Sequence, residues 1–201
     1  LAPKTPRIID PVMVSSSGDV LLPKEAVDAV RQLMVPHATL VTPNAPEAEV
    51  LTGKAVDTLD GQRRAAEKLL DMGAIAALVK GAHVGGDVIV DVLATQSGEH
   101  FFDGPRIVTK ATHGTGCTLS SAIAAFLALG EPLPQAVQQA RAYILGAIAA
   151  FERARIQERV VAGLEVFTLP KGSVLLDEAG QPVESIAAAP ARERPLSARQ
   201  R

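Results

Sequence analysis

A chain of 201 residues, 47% of them hydrophobic, is long enough for one sizeable core and a single α/β domain. Its net charge of −2 gives no electrostatic reason to expect nucleic acid or an anionic membrane as partner, and charged residues leave no 18-residue apolar span. One cysteine rules out an internal disulfide framework and argues against a thiolate zinc site, and the four histidines (His37, His83, His100, His113) lack ligand spacing. Nothing at the start reads as a secretory signal, so a cytoplasmic, reducing compartment is the expectation.

Residues 7–14 run apolar toward Ser15-Ser16-Ser17-Gly18-Asp19, a strand leading into a loop. Pro23 suits a first helical turn, and Ala26, Val27, Val30, Leu33 and Met34 follow at helical spacing. A short strand over 38–42 is punctuated by Pro43-Asn44, and a short helix over 47–51 is closed by Gly53. Residues 60–72 form the clearest amphipathic helix, with Ala65, Ala66, Leu69 and Leu70 inward and Arg63, Arg64, Glu67 and Lys68 outward. Residues 75–80 read as a strand buried on both faces.

A hairpin over 88–94 and 99–102, turning around Ser97-Gly98, precedes one more strand at 106–109. Helices over 116–129 and 133–155 are separated by Gly130-Glu131-Pro132, and 153–157 extends the second. The alternation implies a mostly parallel sheet with helices on both faces, so ligands collect at the carboxyl ends of strands. Residues 1–157 therefore read as the core and 158–201 as an atypical tail. In that tail 174–183 has the pattern of a small hairpin, and 186–201 has too little apolar surface to offset its ordering entropy, so disorder is expected.

The segment Thr112-His113-Gly114-Thr115-Gly116-Cys117-Thr118-Leu119 carries the most chemistry. A glycine-rich turn opening a helix presents backbone N–H groups at the positive end of the dipole, where phosphate binds. Cys117 falls in the first turn, a setting that favours its thiolate. The plain alternative is a Gly-rich helix start with one packing cysteine. Asn44 and Glu47, three apart, have the pattern of a capping box. Asp10 and Lys80 each stand where an apolar strand ends; the plain alternative is a polar strand-end residue for Asp10 and a solvated strand end for Lys80.

Four segments in order carry a resemblance: Asp10-Pro11-Val12-Met13-Val14, Thr42-Pro43-Asn44-Ala45-Pro46-Glu47-Ala48, Leu78-Val79-Lys80-Gly81-Ala82-His83 with Asp87, and the Gly-Thr-Gly-Cys-Thr-Leu turn. Together they resemble the ribokinase-like small-molecule kinases, and among these the hydroxymethylpyrimidine/phosphomethylpyrimidine kinases of thiamine biosynthesis. The likeness covers residues 8–151. It implies a ribokinase-like three-layer α/β/α fold and phosphorylation of hydroxymethylpyrimidine and its monophosphate by ATP with Mg2+. By resemblance Cys117 takes the position of the catalytic base, and Gly114, Thr115 and Gly116 supply the anion hole. Lys80, Asn44, Thr109 and Thr112 would contact nucleotide, Asp10 and Glu47 would hold magnesium, and Val12 with Cys117 would meet the pyrimidine.

The resemblance also marks departures. Many family members carry lysine where Ser16 stands, and a short Gly- and His-rich closing stretch is absent here. Members begin nearly half a domain earlier, so missing N-terminal strands and an incomplete pyrimidine pocket are expected, as is association into a homodimer. Two rivals stand beside this reading: a pyridoxal kinase, whose substrate is also an aromatic ring with a hydroxymethyl group, and a non-catalytic nucleotide-binding remnant.

Overall fold

A computed structural model of the chain describes residues 5–13, 21–82, 84–85, 88–106 and 114–161. Its centre is a five-stranded sheet whose strands lie in chain order: β1 (Ile8–Ile9), β2 (Leu40–Val41), β3 (Ala76–Val79), β4 (Val88–Thr95) and β5 (Gly98–Pro105). The first three pair in parallel and the last two form an antiparallel hairpin. The sheet is thus mixed in its pairing, with only β4 running against the other strands. The hairpin turns through Gln96-Ser97, with Thr95 opposite Gly98. The expected strand at 106–109 falls outside this set: β5 continues to Pro105, and residues 107–109 are not among those described.

Strand β3 shows why an apolar run was required there. All four of its residues are buried, Ala77 and Val79 on one face and Ala76 and Leu78 on the other. The first face is covered by α1 (Lys24–Ala29), α2 (Ala45–Thr52) and α3 (Leu59–Asp71), with Val27, Ala48, Leu51, Ala65, Ala66 and Leu69 packed inward. The second is covered by α4 (Thr115–Ala128) and α5 (Leu133–Val161), through Leu119, Ile123, Ala136, Val137 and Ala140. Helices on both faces make three layers. Burying each large aliphatic side chain removes it from water at about 1.5–3 kcal/mol apiece.

Helix ends follow local chemistry. Thr58 caps α3 by accepting the N–H of Gly61, and Gly53 closes α2 in the left-handed conformation at φ 70°. The helix expected through Met34 is interrupted: α1 is followed by a π-helical turn at Val30–Met34 and a 3-10 turn at Val35–His37. Pro36 lacks the N–H that would continue an α-helix, and Pro23 sits at the cap rather than in the first turn. Arg31 donates to the carbonyls of Val50 and Leu51, covering the end of α2. The first strand is shorter than the expected 7–14, although Met13 beyond it is buried. Helix α5 continues past 157 to Val161. The hairpin and disorder expected of the tail lie outside the described residues. No described helix is long and apolar enough to cross a membrane.

Candidate active site

Three adjacent parallel strands are each followed by a polar residue: Asp10 after β1, Thr42 after β2 and, two residues further along because Val41 pairs with Ala77, Lys80 after β3. The Lys80 ammonium lies 3.2 Å from Asp10 Oδ1, and both side chains are largely buried at 12% and 16% exposed. Thr42 donates its hydroxyl to the same Asp10 oxygen at 3.1 Å. Thr42 Oγ1 also accepts from the Ser120 hydroxyl at 2.9 Å, and the same Ser120 hydroxyl lies 3.1 Å from the Gly116 carbonyl as an alternative acceptor for its one proton. This polar thread ties the strand ends to the first turn of α4.

That turn begins at Gly114, which is left-handed at φ 79°, a conformation natural to glycine. The position a Cβ would take on Gly116 is 3.1 Å from Lys80 Nζ, so the helix start and the lysine face each other closely. Cys117 is exposed in this turn. The expectation that its thiolate is favoured is corrected here. A hydrogen bond to the Asp10 carboxylate, then burial and the charge of Asp10, push the thiol above its ordinary range despite Lys80.

Asn44 and Glu47 do form a capping box at the start of α2. Asn44 Oδ1 accepts the Glu47 N–H at 2.8 Å, and Glu47 Oε2 accepts the Asn44 N–H at 2.8 Å. The box also sits in the cluster, because Asn44 bridges Lys80 in parallel and the Lys80 N–H donates to the Pro43 carbonyl. Glu47 is 3% exposed, and its other oxygen accepts the Met13 N–H at 3.4 Å. Burial is the main reason its carboxyl is shifted up; the Asn44 N–H and Lys80 oppose that, and Asp10 adds to it. Val12 stands exposed beside Asp10. Asp10, Asn44, Glu47, Lys80, Gly114, Thr115, Gly116 and Cys117 thus converge, whereas Thr109 and Thr112 lie outside the described residues.

Two carboxylates beside a lysine are hard oxygen donors suited to a divalent cation that keeps waters and takes other oxygens from phosphate. Both Glu47 oxygens already accept main-chain N–H groups, so contact through water fits that residue better than direct ligation. Among the described residues no group of three His, Cys, Asp or Glu side chains forms a closed protein cage. Thr42 and Ser120 escaped the sequence reading. Thr42 holds the same strand-exit position as Asp10 and Lys80, and Ser120 interrupts an apolar helical face; those were the available signals.

A mixed five-stranded sheet between two helical layers, with charged strand ends facing a glycine-opened helix, is an α/β architecture of the kind found in ribokinase-like kinases. Residues 2–161 match the family model of phosphomethylpyrimidine kinase, and the chain belongs to that family. It is 48% identical over 145 residues to a hydroxymethylpyrimidine/phosphomethylpyrimidine kinase of Streptomyces coelicolor, an alignment covering 72% of this chain and 54% of that protein. The crystal structure of phosphomethylpyrimidine kinase from Clostridium difficile 630 superposes with TM-score 0.62 at 38% identity, over 72% of this chain and 58% of the other. The pyridoxal kinase of Staphylococcus aureus, in complex with AMP-PCP and pyridoxal, gives TM-score 0.63 at 29% identity, over 70% and 51%. The chain spans about half the length of the curated relatives it matches.

Proposed function

We propose that the cluster transfers the γ-phosphoryl group of ATP to the primary alcohol of hydroxymethylpyrimidine, and to the phosphate of its monophosphate, as a thiamine-pathway kinase. One observation carries this reading: Asp10 and Lys80 leave parallel strands directly opposite the glycine-opened start of α4. In such a transfer the hydroxyl oxygen attacks the γ-phosphorus, the bond to the β-phosphate oxygen breaks, and ADP leaves. Positioning and charge neutralisation do most of the work.

Lys80 brings a compact positive charge to the transferred group. The first turn of α4, at Gly114, Thr115, Gly116 and Cys117, turns main-chain donors toward it; each good donor is worth about 2.7–4 kcal/mol of barrier. Thr109 and Thr112, just ahead of that turn in the sequence, and Asn44 belong to the nucleotide side of the reading. Asp10, with Glu47 through water, would hold Mg2+, which would neutralise phosphate charge. Cys117 accepts the proton of the substrate hydroxyl. Its raised pKa makes the thiolate a stronger acceptor and a scarcer one. Val12 borders the place where an aromatic ring would lie.

The similarity to pyridoxal kinases supports a second substrate of the same shape, and the higher identity to pyrimidine kinases ranks the pyrimidine first. The test is ADP release with hydroxymethylpyrimidine, its monophosphate or pyridoxal, in wild type and Cys117→Ala. In a version carrying the N-terminal segment that relatives have, the expected result is turnover with a pyrimidine that Cys117→Ala lowers far more than it changes nucleotide affinity. Nucleotide binding with no turnover on any of the three would leave a non-catalytic binding protein.

A further inference from the structure

Two buried polar side chains, Asp91 on β4 and Gln62 on α3, take no part in the transfer just described. Both act on the exit of β3. Gly81, the residue after Lys80, donates its N–H to Asp91 Oδ1 at 2.7 Å. Gln62 donates to the carbonyls of Val79 at 3.2 Å and Val90 at 2.9 Å. The strands approach so closely that a Cβ on Gly81 would fall 1.9 Å from the Val90 carbonyl oxygen. The second Asp91 oxygen accepts from Arg141 Nε of α5 at 2.9 Å. Arg141 also donates to the Asp103 carbonyl at 3.2 Å, and its guanidinium lies 5.8 Å from the centre of the Phe102 ring.

A largely buried ion pair is weak grounds for stability, since hydrophobic residues of similar volume often serve a core as well. What such a pair supplies is direction. Arg141 fixes one carboxylate oxygen so that the other faces the Gly81 N–H, and Gly81 sets the main chain from which Lys80 projects. We propose that Asp91, held by Arg141, is a positioning residue for Lys80, fixing the direction in which that lysine carries its charge to phosphate. The role rests on the nucleotide reading of the cluster. A role in the fold alone would act on binding independently of Lys80.

A double-mutant cycle on Mg-ADP affinity, by titration calorimetry with the full chain, separates the two roles. Asp91→Ala and Lys80→Met should each weaken binding about tenfold, and the double variant should be within about twofold of Lys80→Met alone. Asp91→Asn keeps an acceptor for Gly81 but sets an amide donor against the Arg141 Nε–H, so it should recover only part of the affinity. Should Asp91→Ala not fold, Arg141→Gln, which keeps one donor but loses the fork, runs the same cycle with the same non-additivity. Additive losses, or unchanged affinity in Asp91→Ala, would overturn the assignment.

Amide hydrogen exchange on the nucleotide-free chain adds an arm that needs no ligand. Exchange at Gly81 should accelerate at least about tenfold in Asp91→Ala and by less in Asp91→Asn, which keeps the acceptor but loses the Arg141 contact. Unchanged Gly81 protection defeats the positioning role whatever the nucleotide does. The expected exchange pattern with no Mg-ADP binding by wild type would instead strike the nucleotide reading, and with it the task given to Lys80.

Discussion

At the scale of single residues, Asp10 sets the state of its neighbours. It accepts from Thr42 and Lys80 and holds the Cys117 thiol protonated above its ordinary range. Cys117 is the sole cysteine, so alkylation by iodoacetamide reports this thiol alone. The alkylation rate should rise with pH through a midpoint above that of a free thiol, and Asp10→Asn should move the midpoint down. An unmoved midpoint would detach the thiol from Asp10. Glu47 gives a second expectation. Its folded carboxyl is shifted up, chiefly by burial, so the folded state holds that proton to higher pH than the unfolded chain does. The associated stability is present below the ordinary glutamate range and is lost as pH rises through the raised value. Urea unfolding between about pH 4 and 7 should therefore show wild type losing stability relative to Glu47→Gln as pH rises. Parallel profiles for the two proteins would refute it.

At the scale of elements, the N-terminus of α2 carries two duties in one motif. Asn44 caps the helix while its backbone bridges Lys80, so the capping box stiffens the chain beside the cluster. Asn44→Ala should cost about 1 kcal/mol of unfolding free energy, measured by urea titration, because one first-turn N–H loses its acceptor. A change within experimental error would mean that the box adds little to the helix. Element types were legible wherever period and punctuation agreed: the two-sided apolar run became β3, and Gly53 and Gly73 marked helix ends. The chain is helical through Met34 as expected, but from Val30 the helix widens to π geometry, a change that apolar spacing does not reveal. Asp10, Lys80 and the Gly114–Cys117 turn were legible because strand ends and glycines are local signals. Thr42 and Ser120 were not, since their hydrogen bond joins positions 78 residues apart. The direction of the Cys117 shift was hidden for the same reason: a helix start is visible in sequence, and a carboxylate arriving from another strand is not.

At the scale of the whole molecule, the cluster stitches together two cores that the sheet otherwise separates. Helices α1 to α3 pack on one face and α4 and α5 on the other; a polar contact joins Thr42 at a strand exit to Ser120 of α4, and Lys80 Nζ stands close to the start of α4 at Gly116. A nucleotide phosphate held between Lys80 and the start of α4 would bind only when both layers are in place. Such a ligand binds the folded chain and not the unfolded one, so it stabilises by about 2.7 kcal/mol at a hundred times its dissociation constant. Mg-ADP should accordingly raise the melting temperature of wild type in a concentration-dependent way. Cys117→Ala should keep nearly the whole rise, because a proton acceptor adds little to ground-state binding. Gly116→Asp should abolish it, because a carboxylate beside Lys80 would occupy the lysine and repel phosphate. A melting temperature indifferent to Mg-ADP in wild type, or an equal rise in wild type and Gly116→Asp, would move the nucleotide away from the start of α4 and dissolve the link between the two layers.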